Sequence, residues 1–262
     1  MLRIVYALVV KDLKGILRNR QVWLPMLLLP VIMTIFMPAS LVVTIERGIQ
    51  KFHGLQHLMV FLPAELRFAT NVQQLFYVMI NFMFPPLFMM IPLMAGTVIG
   101  ASCIVGEKEG HTLETLLYTP VTIEQLLAGK LFAAFVPSYL VSLISFVAFC
   151  LTVNLVGADY LAGQVFPNTR WLVLILFLAP PVILFGLTVV VIISAYANTF
   201  EGAQQMSGFI VLPFMMILIG QTSGLVVLQT SSLITMSPLL LLLDFLLLRL
   251  VACRMTCERL LQ

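Results

Sequence analysis

"GEKEGHTLETLLYTP", residues Gly106 to Pro120, is the one dense cluster of acids in a chain that is otherwise mostly apolar. Long apolar runs flank it on both sides. Its reading decides what the fold is for: either a solvated loop between two membrane spans, or a short helix held between them. Thr112 or the acids around it can start a helix and complement its positive end. Leu113, Leu116 and Leu117 stand at i, i+3, i+4 and make one apolar face. Pro120 stops the helix, since it has no N–H to donate.

Composition settles the surroundings. Of 262 residues, 61% belong to the hydrophobic set and only 10% are charged. Soluble domains carry about 25% charged residues, so lipid is the solvent that suits this chain. A spanning helix needs about 20 mostly apolar residues. Six stretches qualify: 22–45, 75–105, 126–152, 171–197, 206–228 and 233–252. The second would reach about 46 Å as a straight helix. Its prolines, Pro85, Pro86 and Pro92, predict a kink, a tilt or a projection from the membrane. The fold class expected is an all-α polytopic membrane protein, one transmembrane domain over 1–262.

Six spans put both termini on one side, and the positive-inside rule chooses which. With the N-terminus inside, Arg3, Lys11, Lys14, Arg18, Arg20, Lys108, Lys130, Arg249, Arg254 and Arg259 are cytoplasmic. Arg47, Lys51, Arg67 and Arg170 are outside. The stretch 106–120 then faces the cytoplasm between spans two and three. Before span one, Tyr6, Val9, Val10, Leu13, Ile16 and Leu17 recur at helical spacing against a basic face. Residues 1–21 therefore read as an amphipathic interfacial helix. No cleavage pattern precedes its charges, so the segment is read as part of the mature chain.

Other chemistry is weakly signalled. His53 and His57 share a helical face at i, i+4 but have no third ligand for a metal. Cys253 and Cys257 have the same spacing and the same lack, so no metal site is expected. Asp244, in "LLLLLDFLLLRL", is the clear intramembrane acid, suited to a functional role or to an interhelical bond. No phosphate-binding loop occurs: "AGKL", Ala128 to Leu131, lacks both the earlier glycine and the Ser/Thr. The chain is therefore not expected to bind ATP in that way, and no active site of a membrane-embedded enzyme is evident.

From Glu107 to Lys130 the chain resembles ABC-2 type ABC transporter permeases. The resemblance rests on Glu107-Lys108-Glu109, Thr112-Leu113-Glu114, Leu116-Leu117, Pro120-Val121 and Leu126-Leu127-Ala128-Gly129-Lys130. His111 departs from it, standing where many members have glycine. It implies that 106–120 is a coupling helix docking on a separate ATPase. Glu107, Glu109, Thr112, Leu113, Glu114, Leu117 and Pro120 would then carry the coupling. It further implies an exporter built from two permease chains, identical or homologous, and two ATPase subunits in the cell (inner) membrane. ATP and Mg would sit on the partner, with no cofactor on this chain. Spans two and five would line the central path, with Asn81, Phe84, Phe88, Phe209 and Met216 as candidate path residues. Their Met and Phe side chains suit a hydrophobic or amphipathic cargo. A stand-alone channel or secondary carrier is the alternative.

Overall fold

In hydrocarbon a backbone can satisfy its polar groups only within its own helix or in a closed barrel. The computed structural model takes the helical solution. It describes residues 20–46, 70–110, 123–161, 163, 165–194, 196–197, 199–223 and 230–254, and no strand occurs among them. Six helices are long and apolar enough to cross a membrane: Met26–Ile45, Asn71–Gly106, Gly129–Val156, Thr169–Ile193, Phe200–Gln221 and Thr230–Leu250. They are called spans one to six.

The ends differ from the hydropathy runs where capping, not oiliness, decides them. Span two begins at Asn71 because Thr70 is its N-cap, its side chain accepting from the Gln73 N–H at 3.3 Å. Span four begins at Thr169 behind the N-cap Asn168 and ends at Ile193, short of Ala197. Span five begins at Phe200 rather than Met206. The Thr199 side chain caps it, accepting from the Gly202 N–H at 3.2 Å. Span three lies in a helix that runs on from Ile123 to Val156.

Proline sets the internal geometry. Three π-helical turns occur, Ile32–Phe36, Met79–Met83 and Leu174–Leu178. Pro38, Pro85 and Pro180 each follow the end of one by two residues. A proline ring crowds the carbonyl four residues back and offers it no N–H. Those carbonyls, on Thr34, Asn81 and Leu176, lie inside the widened turns, which relieves the clash. Span two is interrupted at its prolines by a π turn followed by Pro85 and Pro86. In span three Pro137 sits inside a continuous helix. There Ser138, Ser142 and Ser145 return their hydroxyls to the carbonyls of Ala134, Ser138 and Val141.

Spans two and four form the most extensive helix pair. Small residues allow the approach: a Cβ on Gly96 would stand 3.1 Å from the Ile183 carbonyl oxygen, and one on Gly186 would stand 3.2 Å from that of Leu93. Close backbone packing of this kind supplies helix association where lipid offers no hydrophobic drive. Span three and the start of span five pack on span two, span six on span four, and span one on spans two and three. One core centres on Trp171, fully buried among Phe88, Phe149 and Phe166 with ring centroids at 5.4, 4.7 and 5.5 Å. A second core, towards the other end of the bundle, joins Ile99, Val105, Leu187, Val190, Phe200 and Ala203.

Candidate functional site

The candidate coupling stretch leaves the end of span two. The helix runs to Glu109, and Gly110 closes it with its N–H on the Gly106 carbonyl at 3.0 Å. The side chain of Glu107, and Thr112, Leu113, Glu114, Leu117 and Pro120 entirely, lie outside the described residues. What is described is the helix that leads into the stretch and the helix that follows it from Ile123.

Glu109 reaches across to span five. Its Oε2 accepts from the backbone N–H of Phe200 at 2.8 Å. The first N–H groups of a helix have no partner in their own helix, and a carboxylate there also meets the positive end of the dipole. Glu109 and the Thr199 side chain thus satisfy two such donors of span five between them. Phe200 and Ala203 are buried in the core beneath, against span two.

Lys130 lies in the helix that follows the stretch. Charge counting assigns it to the cytoplasmic face, yet it is 1% exposed. Its Nζ donates to the carbonyl oxygen of Cys103 in span two. The long lysine stem lies along apolar surface while the ammonium finds an acceptor. Glu109 is therefore tied to span five, and the helix that follows the stretch is tied to span two through Lys130. Neither contact is legible in the sequence, because each joins residues far apart in the chain. The one local signal is "NTFEG", which has the form of an N-cap followed by an acid.

The candidate path residues fall into two groups that share no surface in this chain. Asn81, Phe84 and Phe88 are buried inside the bundle. Phe84 packs on Phe149 with ring centroids at 5.6 Å, and Phe88 joins the Trp171 cluster. The amide of Asn81 donates to the Tyr77 carbonyl and its Oδ1 accepts from Asn168, which ties span two to the cap of span four. Phe209 and Met216 are 71% and 72% exposed on the outer face of span five.

Two further polar groups stand out. Asp244 is 2% exposed, and neither carboxyl oxygen has a hydrogen-bond partner. The interhelical bond that its position suits is absent among the described residues. Span six is instead pinned to span four by Ser237, whose Oγ donates to the Phe177 carbonyl at 2.7 Å. Arg170, an outer-loop charge by sequence, is buried in the first turn of span four with its guanidinium 4.2 Å from the Phe82 ring centre. Among the described residues its Nε and Nη2 have no hydrogen-bond partner. The His53/His57 pair, Cys257 and the segment before Arg20 lie outside the described residues. Among the described residues no group of three or more His, Cys, Asp or Glu side chains could hold a metal.

Comparison with known proteins gives one family. The model for "ABC-2 family transporter protein" matches residues 6–248. No curated protein and no solved structure matches the chain.

Proposed function

The chain belongs to the ABC-2 transporter family, and we propose that it is the membrane half of an exporter driven by a separate ATPase chain. It is a multi-pass permease component of an ABC transporter. In the proposed assembly two permease chains and two ATPase subunits work together in the inner membrane, with both termini cytoplasmic. ATP and Mg are held by the partner. The alternative, a stand-alone channel or carrier, gives no reason for an acidic amphipathic stretch whose flanking helices are tied to spans two and five.

The anchoring is the observation that carries this reading. A partner moving 106–120 would pull on span two through the helix ending at Glu109. It would pull on span five through the Glu109–Phe200 bond and on span three through the helix that contains Lys130. A flexible tether would dissipate such motion; the contacts of Glu109 and Lys130 would pass it on. Spans two and five then change their separation, which opens a path between two chains. The Met and Phe side chains of these spans suit a hydrophobic or amphipathic cargo.

The test uses Leu117→Ala and Glu114→Lys in the complete transporter. An interface leucine cut to alanine costs about 2 kcal/mol when it fills a pocket. Docking should weaken more than tenfold, since about 1.4 kcal/mol is a decade. Membrane levels should stay normal while transport falls relative to ATP hydrolysis. Lys51→Ala serves as the control. Wild-type transport by both coupling variants, at normal membrane levels, would contradict the proposal. So would purification of a transport-competent protein with no ATPase bound.

A further inference from the structure

An apolar cavity of about 260 Å³ lies between spans two, four, five and six. Pro85 and Met89 of span two, Leu174 and Leu178 of span four, Phe214 of span five and Met236 of span six line it. Its cause is visible in the sequence. Pro85, Pro86 and Pro213 are themselves in the wall, and helices bent at proline do not close ridge into groove. It is larger than the roughly 150 Å³ of a dry apolar cavity that accepts benzene. On span four its lining runs from Leu174 to Phe185, about 16 Å of helix. The shape is a slot, and every lining residue belongs to a membrane-spanning helix. A hydrocarbon chain fits such a slot and regains the dispersion contacts that its walls otherwise lack.

The lining of the slot is wholly apolar, and Arg170 lies outside it. Arg170 stands one turn from Leu174, on the same side of span four. On span two, Phe82, which carries the guanidinium, precedes Pro85, Pro86 and Met89 by three, four and seven residues. Both helices thus place Arg170 beyond the Leu174 end of the cavity. The electrostatics there are unbalanced. A cation in the first turn of a helix adds to the positive end of the dipole. Arg170 is 9% exposed, and among the described residues its Nε and Nη2 have no hydrogen-bond partner. The Phe82 ring face offsets only part of that cost. A planar fork of donors lacking an acceptor matches a carboxylate or phosphate.

The geometry points to a binding site for a single-chain anionic amphiphile, its acidic head on Arg170 and its hydrocarbon tail in the cavity between spans two, four, five and six. The site lies within one chain and does not depend on the ATPase or on a second permease. Fatty acids and lyso-phospholipids share the required chemistry, and the bilayer delivers both.

The experiment uses the full chain in phosphatidylcholine nanodiscs with palmitic acid carrying a mid-chain diazirine. Photolabelled residues are mapped by mass spectrometry. Saturable labelling confined to the cavity walls is expected. The methyl ester of the same probe, on wild-type protein, should label them about tenfold less. Arg170→Gln should bring the acid down to the ester, and Arg170→Lys should restore part of the difference. Met236→Trp should fill the slot and abolish labelling of Leu178. A lysophosphatidic acid with the same tail tells the two head groups apart: the one competing at lower concentration is the preferred source. Equal labelling by acid and ester would overturn the proposal, and this comparison needs no variant to fold. Labelling spread over lipid-facing residues such as Ile144 and Leu155 of span three would overturn it too.

Discussion

Spans two and six have the same mean hydropathy, 2.0, yet 89% of the most apolar window of span two is buried in the bundle and only 17% of that of span six. The comparison separates two properties that coincide in water. In a soluble protein, apolar residues are driven inside. In lipid the surroundings are as apolar as leucine, so hydropathy selects what enters the membrane and packing selects what is buried. Span two carries Ala95, Gly96, Gly100 and Ala101, which let another backbone come close, and aromatic side chains that interlock. Span six carries the run Leu239–Leu243, of which Leu239, Leu241, Leu242 and Leu243 are exposed. Span four follows span two and span five follows span six.

The largest expected effect comes from breaking the packed region at its centre. Trp171 is fully buried among four phenylalanine rings. In a soluble core such a residue cut to alanine costs about 3–5 kcal/mol. In lipid the transfer part shrinks, because the unfolded reference is also apolar. The cavity part remains, on the order of 2 kcal/mol. Trp171→Ala should lower the unfolding temperature in detergent more than any single change on span six. A shift no larger than that of Leu242→Ala would mean that burial in this bundle carries no stability.

Gly186→Leu should come next. A Cβ at this position already stands 3.2 Å from the Leu93 oxygen and 3.3 Å from Thr97 Cγ2. Backbone cannot yield as a flexible side-chain end can, so spans two and four must part. Overpacking costs about 1–3 kcal/mol. Gly208→Leu is the matched control, because nothing lies within 4 Å of a Cβ there. Thermal unfolding of the two variants side by side is the measurement. Equal destabilisation would show that the close crossing is not the cause, since leucine favours a helix more than glycine does.

The six spans are legible in the sequence because each depends only on local composition and length. The kinks are legible in part: the prolines of span two announce a bend. The π turns ahead of Pro38, Pro85 and Pro180 follow the same steric rule but depend on neighbouring helices to hold them. Pro137 and Pro238 lie within continuous helices instead. The site is legible as a motif and not as a contact. Nothing near Glu109 names Phe200 as its partner, and nothing near Lys130 names the Cys103 carbonyl. Phe84 and Phe88 read as path residues by their type alone. Their burial depends on which side of span two faces spans three and four, which a helix apolar all round does not reveal.

Glu109→Gln probes the link between the two regions, since it joins the buried span two to the exposed span five. The amide keeps the shape and can still accept from Phe200, but without the charge. Hydrogen bonds to charged groups are stronger than neutral ones by about 1 kcal/mol. Thermal stability should fall only slightly. In the proposed transporter, ATP hydrolysis should persist while transport per ATP drops. Glu201→Gln, exposed one residue further along, should leave that ratio alone. An unchanged ratio in Glu109→Gln would remove this bond from the coupling route.

The smallest effect on stability is expected where the comparison is most one-sided. Phe209 and Met216 project from span five with almost three-quarters of their surface free. Within one chain they touch little, so Phe209→Ala and Met216→Ala should change unfolding by no more than about 0.5 kcal/mol. Leu242→Ala on span six, which is 57% exposed, should do the same. Transport then distinguishes the two surfaces. If span five lines a path between two permease chains, both span-five variants should alter the rate or the choice of cargo, with folding intact. Leu242→Ala, facing lipid, should not. Equal transport by all three variants would take the path away from span five. Loss of transport by Leu242→Ala alone would place it on span six.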